Sequence, residues 1–338
     1  MLSIFKSNNP LVVLLYFIYL VIFRLYFVSH SPNTESVFLH QEPLSSGLFG
    51  LLLRIPIPYL TLSVLLSALL CFIQAIWVND IVNSNKILSK RNYLPGAIFI
   101  VFSSFLPQFL LLDPAAVSFT FLIAATGKIF SIVRKEKANG DIFDIGFLIA
   151  IASLFYFPSI LFLLFGYIGL ATVRAFSYRE WTILFLGFIA PFFLVFTFYF
   201  WIDDLPILLS LLENNHSINW LNGFHFTQME WALLGVLGFI SMVSYVMLPA
   251  AIYSSVIQTR KFALLLLVFT VLSLVSFLLL QYASLTHILW LSLPLAIIIS
   301  MLIMQVKRVW IYEVIHLILI LLVLAGQYLP SLLKTIES

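Results

Sequence analysis

Charge is what this chain has least of. Only 17 basic and 14 acidic residues occur in 338, so 9% is charged, against roughly 25% in an average soluble protein. So few charged side chains cannot make a polar coat for a water-soluble fold of this size. A soluble enzyme, a disordered chain and a nucleic-acid-binding protein are therefore excluded. Cysteine is nearly absent too. The single Cys71 lies in an apolar run, so neither a disulfide framework nor a thiolate metal site can be built, and it reads as a small buried apolar residue. No P-loop, G-x-G-x-x-G, G-x-S-x-G or H-E-x-x-H is present, which leaves soluble-cofactor chemistry without a handle. There is no lipidation motif. No small-x-small cleavage site follows the first apolar stretch, which reads as a retained transmembrane helix.

What fills the chain instead is apolar: 62% hydrophobic and 16% aromatic residues, with a mean hydropathy of +1.12. About 20 apolar residues cross the hydrocarbon core as a helix. Runs of that kind lie near residues 10–28, 57–78, 95–112, 115–133, 159–176, 181–201, 229–254, 262–282, 287–306 and 310–329, with a shorter one at 143–157. Residues 144–171 read either as one tilted helix or, because of Pro158, as a hairpin of two. Charge decides. With a hairpin and a cytoplasmic N-terminus, thirteen of the 17 basic residues fall on the inner face, among them Lys6, Lys90, Lys135, Arg174, Arg260 and Lys307. A single span would send Arg174 and every later basic loop outward, against the positive-inside bias. The expectation is thus an all-α bundle of eleven spans in one integral membrane domain, N-terminus cytoplasmic and C-terminus periplasmic. Residues 1–201 and the four spans within 229–338 flank an outer loop at 202–228. Trp77, Trp181, Trp201, Trp231, Trp290 and Trp310 fall near span ends, where indoles prefer the interface.

Two outer loops are long, 29–56 and 202–228. Each holds a short apolar piece, SGLFGLLLR and PILLSLL, read as lying along the membrane surface. Arg54, Pro56 and Pro58 break the first before the second span. The outer face gathers His30, His40, His216, His225 and His287 with Glu35, Glu42, Asp113 and Glu213. Imidazole and carboxylate together can hold a divalent metal; the spacing matches no metal motif and also fits ordinary loop polarity. Asp113, in LLLDPAA, is both an N-cap candidate and a candidate catalytic or metal-binding carboxylate. Arg24 and Arg54 lie toward the same side, where a guanidinium can hold a lipid phosphate or simply snorkel to headgroups. Glu313 and His316 share a face of the last span, as a functional pair or as partners bonded to each other. Lys128 is expected to snorkel inward, and Gln74, Gln108 and Gln281 to bond between helices.

Two resemblances follow. The stretches WVNDIV…KRNYLPG (77–96), FSSFLPQFLLLDP (102–114), GFLIAIASLFYFPSILFLLF (146–165) and RAFSYREWTILFLGFIAPFF (174–193) resemble an uncharacterised family of polytopic inner-membrane proteins of Bacteroidota, from which no activity carries over. Residues 1–201 are also similar in layout to GT-C superfamily membrane glycosyltransferases, which use polyprenyl-phosphate-linked sugars. The likeness rests on loop 29–56, on Asp113, and on GFLIAIASLFYFP after the basic RKEKANGD. It implies an envelope-biogenesis protein: a transferase, or a non-catalytic relative that binds the lipid carrier. Asp113 or Glu42 would then serve as base or metal ligand, and Arg54, with Arg24, as phosphate ligand. Where those enzymes place an aspartate in the first outer loop, this chain has only Glu35 and Glu42. A transporter or flippase would instead line a mid-membrane path with Lys128, Glu313 or His316. A scaffold subunit of a secretion or assembly complex would have no pocket. Membrane lipids are partners under every reading.

Overall fold

The computed structural model describes residues 2–7, 9–29, 42–206, 208–209, 226–253, 255–278 and 285–337. Among them the structure is all-α. Helices α1 (Leu2–Phe5), α2 (Val13–Ser29), α3 (Pro43–Leu52), α4 (Tyr59–Ser84), α5 (Leu94–Phe102), α6 (Pro114–Ser131) and α7 (Asn139–Phe155) are followed by α8 (Phe162–Val173), α9 (Tyr178–Trp201), α10 (Gln228–Ile252), α11 (Ile257–Leu278), α12 (Ser292–Gln305) and α13 (Val309–Glu337). Among the described residues, seven stretches are long and apolar enough to cross a bilayer: α4, α6, α9, α10, α11, Leu285–Gln305 and Val309–Tyr328. Shorter apolar helices accompany them at Pro10–Arg24, Pro43–Leu52 and Phe157–Val173.

Local chemistry sets the starts. Pro58 precedes α4, and Asp113 caps α6 with Pro114 at its first position. Thr227 and Glu230 close a reciprocal capping box on α10. Pro158 decides the hairpin: it has no N–H to give the Leu154 carbonyl, and its ring clashes with that carbonyl. The helix therefore stops at Phe155, Tyr156 is extended, and a 3-10 turn over Phe157–Leu161 leads into α8. The chain folds back, since Gly166 faces Ile149 and Ile145. Arg174 returns to the end that holds Lys135, where it donates to the carbonyls of Ile132, Lys135 and Glu136.

The third expected span is corrected. Residues 95–112 do not form one crossing helix. α5 ends at Phe102, the chain turns through Ser103 and Ser104, and Pro107 opens a 3-10 turn to Leu110. Nine residues reach only about 13 Å, and all nine are buried. The segment is enclosed by other helices rather than by lipid.

At the centre stands Leu285–Gln305, 89% buried, while α9 and α10 are 22% buried and turn most of their surface outward. Lipid is as apolar as leucine, so the helices are held by close packing more than by the hydrophobic effect. The tightest crossing is α7 on α9, where a Cβ on Gly146 would overlap the Leu184 carbonyl and one on Gly187 the Phe143 carbonyl. Trp290 departs from the expected interfacial belt: it is fully buried, edge-on to Tyr156 and Phe162. Trp201, by contrast, is 83% exposed.

Contacts among the loops define two ends. At one, Tyr93 N–H donates to the Phe5 carbonyl, Lys6 Nζ to the Ile303 carbonyl, and Gln305 to the Ala251 carbonyl. This is the end rich in lysine and arginine. At the other, Ser63 Oγ accepts from Leu112 N–H, Gln108 bonds Glu230, and Tyr199 reaches the Pro43 carbonyl.

Candidate functional site

The second, acidic end holds two of the four candidate residues together. Glu42 occupies the N-cap of α3 in extended conformation, before Pro43. Its carboxylate is 4% exposed and lies 3.2 Å from Ser45 Oγ and 3.4 Å from the Phe157 N–H. Asp113 takes the amide of Ala115 at 2.8 Å, a working N-cap. Glu42 is thereby beside Tyr156, the residue before Phe157, and Asp113 is beside Trp290, whose indole N–H bonds the Ala115 carbonyl.

Tyr156 ties them to His287, at the start of the apolar run 287–306. Its hydroxyl is 3.3 Å from His287 Nδ1, and His287 Nε2 is 2.8 Å from Ser276 Oγ and 3.1 Å from the Ser273 carbonyl. A neutral imidazole with its proton on Nε2 satisfies these partners: it donates to Ser273 and accepts the tyrosine O–H. His287 is fully buried and packs 4.2 Å, centroid to centroid, from Trp290, whose indole N–H donates to the Ala115 carbonyl at 3.0 Å. Glu42, Asp113, Tyr156, His287 and Trp290 thus lie close together, drawn from four segments. His30, His40, His216, His225, Glu35 and Glu213 lie outside the described residues, as do Gln281 and most of PILLSLL.

The two arginines separate. Arg54 follows α3 and is exposed, with no ion pair among the described residues. It does not join the layer, because the turn through Pro56 and Pro58 leaves it at the surface. Arg24 is 3% exposed, with Nη2 3.3 Å from Ser67 Oγ, while its Nε and Nη1 have no hydrogen-bond partner among the described residues. It lies against a polar stripe on α4 formed by Ser63, Ser67, Cys71 and Gln74, all buried. Ser63 holds Leu112 beside Asp113, Cys71 touches Ser103 at 2.9 Å, and Gln74 donates to the Ala116 carbonyl and Thr120. The i, i+4, i+8, i+11 spacing was present in the sequence, masked by the apolar residues between. Ser67 is one turn, about 6 Å, along α4 from Ser63, so Arg24 sits just below the carboxylate layer.

The basic end carries a separate ionic network. Lys128 reaches Asp144 at 2.8 Å and Asp141 at 3.2 Å, and Lys135 reaches Asp141 at 2.6 Å. Arg174 pairs with Glu180 at 2.9 Å. Asp141 lies in the first turn of α7, and the helix is free of charge only after Asp144. Burial pushes the Asp141 carboxyl up, but Lys135 and Lys128 outweigh this and hold it below the usual carboxylate range. Glu313 and His316 do not form the expected pair with each other. Glu313 accepts the Leu2 and Ser3 amides, each at 3.0 Å, and so anchors α1, while His316 bonds the Tyr19 hydroxyl at 2.8 Å. Gln74 and Gln108 make the expected interhelical bonds. Cys71 is buried, as expected.

Among the described residues no three of His, Cys, Asp and Glu gather closely enough to share a metal ion. Nothing in the described helices is specific to the GT-C arrangement. No curated protein and no solved structure matches the chain. Residues 44–336 match DUF6427, described as a family of unknown function. An all-α, multi-spanning membrane protein over nearly its whole length, the chain belongs to the DUF6427 family.

Proposed function

We propose that this is an inner-membrane protein of envelope biogenesis that receives the polar end of a polyprenyl-phosphate-linked sugar at its acidic end. One observation carries the reading. Two carboxylates from distant segments adjoin a buried tyrosine–histidine pair in an otherwise apolar bundle: Glu42 takes the N–H of Phe157, next to Tyr156, and Asp113 caps Ala115, whose carbonyl takes the indole of Trp290 beside His287. Buried polar clusters are costly in a membrane and are kept where they serve function. In this reading the carboxylates accept sugar hydroxyls, and one acts as general base if a sugar is transferred. Arg24 holds the carrier phosphate, since its buried guanidinium has two nitrogens open among the described residues. Arg54 meets lipid headgroups from the surface. The positive-inside bias puts the basic end in the cytoplasm and the acidic end in the periplasm. Transport gains no support, because the three residues do not line one path: Lys128 belongs to the α6–α7 ionic network, Glu313 anchors α1, and His316 bonds Tyr19.

The test is native mass spectrometry of the full chain with a polyprenyl phosphate and with its sugar-linked form. Arg24→Gln is expected to weaken binding of both about tenfold, the loss of one charge-assisted contact. Asp113→Asn and Glu42→Gln are expected to weaken only the sugar-linked form. Wild-type protein that retains neither lipid, or variants indistinguishable from it, overturns the assignment.

A further inference from the structure

A groove of about 350 Å³ opens at the basic end between the last two turns of α4 and of α6, far from the carboxylate layer. That volume is at the lower bound for small-molecule sites. Trp77, Asp80 and Ser84 line it from α4, Lys128 from α6, and Lys135 and Asp141 from the segment beyond. The charged lining residues number two of each sign. Lys128 and Lys135 stand together through their shared partner Asp141, and Lys128 is also held by Asp144 at 2.8 Å, just outside the groove's lining. Asp80 is exposed and has no hydrogen bond or ion pair among the described residues.

Two features say what such a groove suits. The first is balance. A purely anionic ligand would meet Asp80 and Asp141 as well as the lysines, and a purely cationic one would meet both ammonium groups. A ligand carrying both signs satisfies each. The second is continuity with lipid. Leu69, Ile73 and Trp77 form an exposed apolar stripe along α4 at i, i+4 and i+8, and it ends at Asp80. An acyl chain lying on that stripe brings its headgroup to the groove, at the depth where a tryptophan prefers to sit.

We propose that this groove binds the headgroup of an aminophospholipid, its phosphate on Lys128 and Lys135 and its primary ammonium on Asp80. The ammonium donates N–H bonds to the Asp80 carboxylate. A choline headgroup has no N–H to donate and is bulkier, so the site discriminates between the two zwitterions.

The full chain in phosphatidylcholine nanodiscs, doped with phosphatidylethanolamine, with phosphatidylglycerol or with neither, tests this by native mass spectrometry of the lipids retained. Wild-type protein is expected to enrich phosphatidylethanolamine about fivefold over phosphatidylcholine, the scale of one exposed ion pair. Asp80→Asn changes an exposed side chain without a partner among the described residues, so it folds; it is expected to abolish that preference. Lys135→Gln is expected to lower retention of phosphatidylethanolamine. Equal retention of the three lipids by the wild type, preference for phosphatidylglycerol, or an undiminished preference in Asp80→Asn overturns the proposal. A soluble arm separates the sources of the chemistry: glycerophosphoethanolamine that displaces the lipid at equal concentration makes a free zwitterion the occupant and overturns the lipid assignment.

Discussion

Asp113 holds two jobs that one substitution can separate. Its side chain caps α6 through the Ala115 amide, and it carries the negative charge proposed to receive a sugar hydroxyl. Asparagine keeps the cap and removes the charge, while alanine removes both. Asp113→Ala is therefore expected to cost about 1 kcal/mol of stability and Asp113→Asn close to none, measured by thermal unfolding in detergent. Equal losses would mean that the charge, not the cap, is structural. Asp141 gives a pH signature instead. Its carboxyl is depressed in the folded protein, so its stabilising contribution is complete above the ordinary carboxylate pKa of about 3.9. That contribution is lost as pH falls through the lower, folded value. The gap in melting temperature between wild type and Asp141→Asn is expected to close over that acidic window; a constant gap would deny the ion pairs a role. At this scale the sequence was readable where a residue announces its local duty, as Asp113 does before proline. It was mute where the partner is distant: nothing near His287 in the chain points to Tyr156 or Ser276.

Helix boundaries depended on how much each breaker was allowed to weigh. Pro158 divides α7 from α8 as its chemistry requires, and charge had already favoured two helices. Pro107 was given too little weight, and the apolar run 95–112 was read through it. Hydropathy alone does not tell lipid from protein surroundings, so a helix sheathed by other helices scores like one that spans. The α7–α9 crossing depends on Gly146 and Gly187, which let two backbones meet where any side chain would intrude. Gly146→Ala is expected to destabilise by about 1–3 kcal/mol, the range for overpacking. Gly235→Ala, with nothing within 4 Å of its added carbon, is expected to be neutral or slightly stabilising. Thermal unfolding of both variants checks the pair, and equal effects would deny the close approach.

For the molecule as a whole, the separation of charge between ends was the most legible property, because it depends on composition by segment and not on any single contact. Arg174 bonded to the carbonyls of Ile132, Lys135 and Glu136 puts their loops at one end. Gln305 on the Ala251 carbonyl brings in the turn before Arg260. In a Cys71→Ser background, Lys135→Cys and Arg260→Cys are expected to react with a membrane-impermeant maleimide from the same side of sealed vesicles. Reaction from opposite sides would break the topology. The carboxylate cluster is legible in part: the sequence puts Glu42, Asp113 and His287 on the outer face, but Tyr156, which joins His287, is an apolar-run residue.

Helix α5 bears on how the bundle is put together during synthesis. With all nine of its side chains covered by protein and a length of about 13 Å, it can neither cross a bilayer nor gain by resting in one. Its backbone ends have nothing to satisfy them in hydrocarbon. Its cover comes from α2 and α4 before it and from α12 and α13 far later in the chain, so its burial is complete only once the C-terminal helices are in place.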